Sequence, residues 1–422
     1  MNKFLYFLSF ISILAATSPV NLAARVWTLC NQCEFTSLKE VLKTAAGGDT
    51  IVINGGRYQE RDILIEKPIY IKGIGFPVFD GQNKGEVFTI MADSVTLEGI
   101  QVENVGVSYI NDFAGIRVRR SKHFALKNNR LVNSFFGIYL EQSRNGIVTE
   151  NQVIGNAKDE SSSGNAIHVW YCKQIVIEGN LVKKHRDGIY FEFVDSSVVR
   201  TNVSENNLRY GLHFMFSNDD EYFNNVFREN GAGVAVMFSR RIRMWENIFE
   251  KNWGKASYGL LLKEIYDAEI RNNHFIKNTV AIFVEGSNRI EYLRNQFENN
   301  GWAIKMSGGC LQNNVSENNF VTNTFDLSVH SAVNDNTFNG NYWSDYVGYD
   351  LNKDGIGDQL HRPVKLFNFV VNRTPEAMIL HRSLLVDLLN FSEKISPVFT
   401  PANIIDEQPS MKPFRIDETG AL

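Results

Sequence analysis

The chain has 422 residues, a formal net charge of −4 at pH 7 and 44% hydrophobic residues. This slightly acidic balance gives no hint of the basic face that nucleic-acid binding needs, and four cysteines are too few for a disulfide-built scaffold. Such a length ordinarily means two or more domains, unless the fold is a repeat that lengthens without thickening its core.

At the N-terminus, Lys3, the apolar run Phe4–Ala16 and the small residues of TSPVNLAA read as an export signal spanning residues 1–24. Cleavage is expected near Ala24, with Ala16 as the alternative. The apolar run is too short to span a bilayer, and nothing later in the chain is long and apolar enough, so the mature protein is expected in solution outside the cytoplasm. Cys30 and Cys33 follow as C-x-x-C; in an oxidising compartment a local disulfide is the simplest reading, a redox or copper(I) pair the other. Cys172 and Cys310 are expected unpaired. Residues 25–48 read as a cap, with Leu38, Val41 and Leu42 at helical spacing and Gly47-Gly48 stopping the helix.

A repeat then takes over. Asn129, Asn151, Asn180, Asn202, Asn225, Asn247, Asn273 and Asn295 are separated by 22, 29, 22, 23, 22, 26 and 22 residues. A second series moves with them: GIRVR at Gly115, GIYLE at Gly137, AIHVW at Ala166, GIYFE at Gly188, GLHFM at Gly211, GVAVM at Gly233, GLLLK at Gly259 and AIFVE at Ala281. Two markers sharing their insertions define one structural unit per repeat. The unit holds only short alternating strands and turn residues, which excludes helical solenoids. It fits an all-β fold, a right-handed parallel β-helix over residues 49–345 of roughly ten coils, with coils stacking about 4.8 Å apart. Ile189/Phe191, Leu212/Phe214 and Val234/Val236 would line the core. The asparagines would stack at one bend with their amides bonding along the ladder, which also removes the sequon at Asn202 from the surface.

Coil stacking turns sequence offsets into neighbours. One outward column reads Arg117, Tyr139, His168, Tyr190, His213, Ala235, Leu261, Phe283; the next reads Arg119, Glu141, Trp170, Glu192, Met215, Met237, Lys263, Glu285. Within YGLHFMFSN, Leu212, Phe214 and Phe216 are expected inside, with His213 and Met215 outside. A solvated face carries scattered charge, so aromatic rings, histidine and methionine in its place mark a binding surface. His213, Met215 and Met237 are candidate ligands for copper(I), because thioether and imidazole suit a soft ion; His168, Trp170, Tyr190 and Glu192 are candidate partner contacts. A carbohydrate-binding or carbohydrate-active β-helix is the alternative, but hydrolysis wants two carboxylates about 5–10 Å apart. Here Glu192 stands alone and Asp187 reads as shaping the turn before Gly188, so no enzyme activity is expected.

Residues 346–373 read as an exit loop. In it Asp350, Asn352, Asp354 and Asp358 flank Gly355 as D-x-N-x-D-G, a candidate calcium loop. The bidentate glutamate of such loops is absent, since His361 takes its place, and a tight hydrogen-bonded exit is the other reading. Residues 374–391 read as a helix started by Thr374 and Pro375. It is apolar over most of its circumference and must be buried, either back on the coil or in a groove of a partner, as a partner-docking helix. Residues 392–422 are proline-rich and read as an extended tail.

With these stretches in view, the chain resembles the NosD family, periplasmic maturation proteins of nitrous oxide reductase. The resemblance runs from the C-x-x-C-x-F-T-S start to the C-terminal helix and is carried by HRDGIYFEFV, RYGLHFMFSN, NGAGVAVMFS, NWGKASYGLLLKE and GNYWSDYVGYDLNKDGIGD. It implies a copper-binding periplasmic protein without catalysis of its own. The implied partners are the permease and ATPase of an ABC transporter, a lipoprotein copper chaperone and the reductase whose copper centre is assembled.

Overall fold

The computed structural model describes residues 24–108, 110–161, 163–254, 257–330, 335–395 and 404–415. The expected signal, apart from Ala24, and the tail at residues 396–403 and 416–422 lie outside the described residues. The chain winds into a parallel β-helix with three sheets, A, B and C, of 14, 13 and 12 strands. One coil shows the logic: Glu221–Phe223 lies in A, Val226–Arg228 in B and Ala232–Met237 in C. Single left-handed residues make its bends, Asn224 at φ 55°, Glu229 at 54° and Phe238 at 53°. Ile189, Phe191, Leu212, Phe214, Val234 and Val236 are fully buried, as expected. The glycine that opens the sheet C strands is needed for close approach: a Cβ on Gly211 would lie 2.6 Å from the Gly233 carbonyl oxygen of the next coil.

The asparagine ladder forms as expected, each side-chain Nδ2 donating to the next Oδ1 at 2.9–3.0 Å, and it runs on through Asn318 to Asn341. Asn202 is fully buried within it. A second ladder, at the bend between B and C, stacks Asn207, Asn230, Asn252, Asn278, Asn300 and Asn323. Between the two ladders, Phe227, Phe249, Phe275, Phe297, Phe320 and Trp343 form a continuous stack of buried rings.

Three expectations need correction. The coil starts earlier and has more turns, because Val26–Leu29 already pairs with Thr50–Asn54 as the first rung of sheet A. The cap therefore holds a strand besides α1 (Leu38–Thr44). The early coils escape the asparagine count because Pro77 and Ile100 stand at the ladder position, where the Ile100 amide donates to Asn129 Oδ1 at 3.0 Å. The single helix of residues 374–391 is instead two pieces, a 3-10 turn at Pro375–Leu380 and a helix at Leu384–Ile395, separated where Arg382 takes φ 67°. An additional helix, α2 (Leu366–Arg373), lies within the expected exit loop, and Leu384–Ile395 is α3. Phe367, Val371 and Val386 pack against Val280, Trp302 and Phe325 of the coil. Finally, the tail does not run free: residues 404–415 return to the last coil, where Asp406 is fully buried.

Candidate functional site

The outward face of sheet C carries the two columns in the expected register, with Tyr190 opposite His213, Glu192 opposite Met215 and Met215 opposite Met237. Local sequence makes them possible: strict alternation in Leu212–Met215 sends Leu212 and Phe214 into the core and leaves His213 and Met215 outside. The first column is nevertheless nearly closed off. His168 is buried between the rings of Tyr139 and Tyr190, at centroid distances of 4.4 and 4.8 Å, and its Nδ1 meets Asn165 Nδ2 at 2.9 Å. Burial first, and then the Arg186 guanidinium, push the His168 ring down to about 3. His168 is thus a buried neutral histidine and not an open contact surface, because its aromatic neighbours exclude water. Trp170, Tyr190, Glu192, Met215 and Met237 remain half-exposed.

Beneath the face lies a charged group that sequence reasoning undervalued. Asp187 does not merely shape a turn. It is fully buried, takes two hydrogen bonds from Arg209 at 2.9 and 2.6 Å and a third from the Tyr210 amide at 3.2 Å. Its Oδ2 stands 3.9 Å from His213 Nδ1. Burial would raise the Asp187 carboxyl, but His213 and Arg209 outweigh it and bring it down to about 2. Asp187 and Arg209 flank neighbouring glycines, Gly188 and Gly211, so coil stacking was the signal that could have paired them.

His213 itself is 5% exposed, held by the rings of Tyr190 and Tyr210 at 4.9 and 4.7 Å. Both of its ring nitrogens are buried without a hydrogen-bond partner. An orphaned imidazole of this kind is a donor set in search of a ligand. Met215 Sδ accepts a weak hydrogen bond from the Tyr190 hydroxyl at 3.9 Å, and Met237 sits one coil on. The donors on this part of the face are thus two thioethers in register and one imidazole. Phe216 departs from expectation. It leaves the alternation at φ 52°, and its ring is 38% exposed at the bend from C to A.

The other motifs resolve differently. Cys30 and Cys33 form a disulfide, and Cys172 and Cys310 are buried and free. In the exit loop, Asp350 accepts the amides of Lys353 and Gly355, Asn352 that of Asp354, Asp354 that of Ile356 and Asp358 that of Leu351. The loop closes on its own backbone. Among the described residues, no three His, Cys, Asp or Glu side chains gather to hold a metal, in this loop or elsewhere. Nor is any described helix long and apolar enough to cross a membrane.

Residues 151–348 match a family model described as "Periplasmic copper-binding protein (NosD)". Two curated relatives share the name "Probable ABC transporter binding protein NosD". The one from Pseudomonas aeruginosa is 27% identical over 85% of this chain and 87% of its own, and the one from Stutzerimonas stutzeri is 29% identical over 85% of each. Among solved structures, a family 28 exopolygalacturonase from Yersinia enterocolitica superposes with TM-score 0.54 at 8% identity, covering 75% of this chain and 78% of the other; at that identity the likeness is one of fold. The matched coils are those that carry Asp187, Arg209, His213, Met215 and Met237, so the family model and both relatives place this chain's similarity with NosD proteins.

Proposed function

We propose that this chain is a periplasmic accessory protein that handles copper(I) beside an ABC transporter, in the assembly of the copper centre of nitrous oxide reductase. The observation that carries the copper reading is the in-register pair Met215 and Met237 next to an imidazole whose two nitrogens lack partners. Thioether and imidazole select a soft ion over an oxygen-seeking one. Copper here is cargo: Met215 and Met237 stay half-exposed, so an ion held there can be passed to a chaperone or to the reductase docking on Trp170 and Glu192. The transporter reading is supported by the names of the relatives and by the apolar surface that α3 leaves uncovered. The carbohydrate alternative finds no support at Asp187, whose oxygens are engaged by Arg209 and Tyr210.

The deciding experiment is competition for copper(I) against a colorimetric chelator. Met215→Leu/Met237→Leu keeps side-chain size and removes both sulfurs. Affinity should fall by more than about tenfold, the equivalent of about 1.4 kcal/mol, with thermal stability unchanged. An unchanged affinity would refute ligation at this pair.

A further inference from the structure

At the bend from sheet C to sheet A, four successive coils place an aromatic residue in the left-handed region: Tyr171 at φ 49°, Phe193 at 53°, Phe216 at 52° and Phe238 at 53°. For a bulky side chain that conformation is unfavourable by about 1–2 kcal/mol. The bend takes this conformation in other coils too, through Arg120, Gln142 and Glu264 at φ 53°, 50° and 49° and through Gly286 and Gly308 at 58°, so the fold demands the left-handed backbone but not an aromatic ring. The rings stack face to face, with centroids 4.6, 5.2 and 5.1 Å apart and planes within 23°, 9° and 18°. Stacking returns part of the strain, yet the rings stay in water: Tyr171, Phe193 and Phe216 are 51%, 36% and 38% exposed. Large rings held exposed at a bend that other coils fill with polar residues or glycine mark a contact surface.

Two residues past the same bend, Lys122, Arg144 and Lys173 follow one another in register on adjacent coils, Lys173 beside Tyr171 and the other two extending the line past that end of the ridge. Among the described residues none of them has a carboxylate within ion-pair reach, whereas the neighbouring Arg241 is paired with Asp219 at 2.5 Å. Asp195 continues their column and Asp93 caps only the Lys122 amide. Three stacked cations on a chain of net charge −4 call for an anion.

We infer that this ridge docks an acidic, extended peptide segment of a protein partner. The ring faces are consumed by one another, so only their electropositive edges are offered. Edges suit carbonyl and carboxylate oxygens, whereas sugars stack on faces, and edge-on rings locked in a stack cannot insert into a bilayer. The inference stands apart from copper ligation, since it uses neither methionine.

The test uses the full chain and a fluorescent twelve-residue peptide of alternating glutamate and leucine, with an alternating lysine and leucine peptide as control. Three variants are compared with the wild type: Phe193→Gly/Phe216→Gly, which the bend accepts as it accepts glycine later; Arg144→Glu/Lys173→Glu; and Met215→Leu/Met237→Leu. The acidic peptide should bind, and the first two variants should each weaken it about thirtyfold, the size of a hot-spot loss, while the methionine variant should not. The proposal is overturned if the acidic peptide does not bind, if the glycine variant unfolds and the charge variant binds normally, or if oligogalacturonate or phosphatidylglycerol vesicles bind as tightly as the peptide.

Discussion

An asparagine at a bend of a stacked coil satisfies the backbone twice. Its Oδ1 accepts the amide of the preceding coil's asparagine and its Nδ2 reaches a buried carbonyl, as Asn225 does with the Asn202 amide at 3.0 Å and the Val199 oxygen at 2.9 Å. Asn225→Leu would strand both groups, at about 1–3 kcal/mol each, read as a lower midpoint in urea unfolding with the slope unchanged. His185 stands where the second ladder would hold another asparagine: its amide donates to Asn207 Oδ1 at 3.1 Å. Burial pushes this ring down to about 4, and Nε2 has no partner. A folded-state value below the unfolded value of about 6.5 means that the unfolded chain binds the extra proton. Stability from His185 is therefore full above that value and declines as the pH falls towards about 4. His185→Asn extends the ladder and removes the titration; between about pH 7 and about pH 5 it should lose about 2 kcal/mol less than the wild type in urea unfolding. An equal loss in both proteins would place the acid sensitivity elsewhere, with His168 the next candidate. The first ladder was legible in the sequence through its spacing. The second has the same spacing but less uniform surroundings, and the burial of His168 is not legible because it depends on rings from neighbouring coils, Tyr139 and Tyr190, closing over it.

At the scale of elements, the C-terminal helices are half coil and half interface. Asn368 on α2 donates to the Leu327 carbonyl, and Glu393 on α3 accepts the Leu366 amide at 2.7 Å, so the two helices and the coil are tied together. Leu384, Leu385, Leu388 and Phe391 form the opposite face of α3 and are 74%, 54%, 54% and 61% exposed. Such a face belongs against another protein, and on the proposed function that protein is the transporter's membrane subunit. Leu384→Ser/Leu388→Ser/Phe391→Ser touches only exposed positions, where single changes move stability by about 0.5 kcal/mol or less. The variant should melt near the wild-type temperature and cease to copurify with the membrane subunit; retained copurification would remove α3 from that contact. The sequence showed the excess of apolar residues but not its division. Periodicity cannot reveal a break made by one left-handed arginine, nor which third of an all-round apolar helix finds the coil.

Over the whole molecule, both ends of the solenoid are closed by one device, an aspartate that accepts from a tryptophan indole. At the start, Asp49 takes Trp27 Nε1 at 2.8 Å and the amides of Arg25 and Ala46 at 2.9 Å each. At the finish, Asp406 takes Trp343 Nε1 at 3.0 Å, the Asn341 amide at 2.9 Å and Asn341 Nδ2 at 3.1 Å, with the Gly340 amide at 3.0 Å on its other oxygen. Asp406 thus stands where the next asparagine of the ladder would be, and it ends the buried ring stack in the same stroke. Composition alone reads this proline-rich stretch as a loose tail, because the one residue that anchors it acquires meaning only when the coil brings Asn341 and Trp343 to it. Asp406→Ala would leave those buried donors unpaired, which costs about 1–3 kcal/mol for each group, and would release residues 404–415 from the last rung. An uncovered parallel edge recruits other chains. The variant should therefore unfold at lower denaturant and form soluble oligomers on size exclusion as concentration rises. Asp406→Asn, which keeps one acceptor oxygen, should fall between the two. A monomeric Asp406→Ala protein with wild-type stability would show that the last coil closes without this cap.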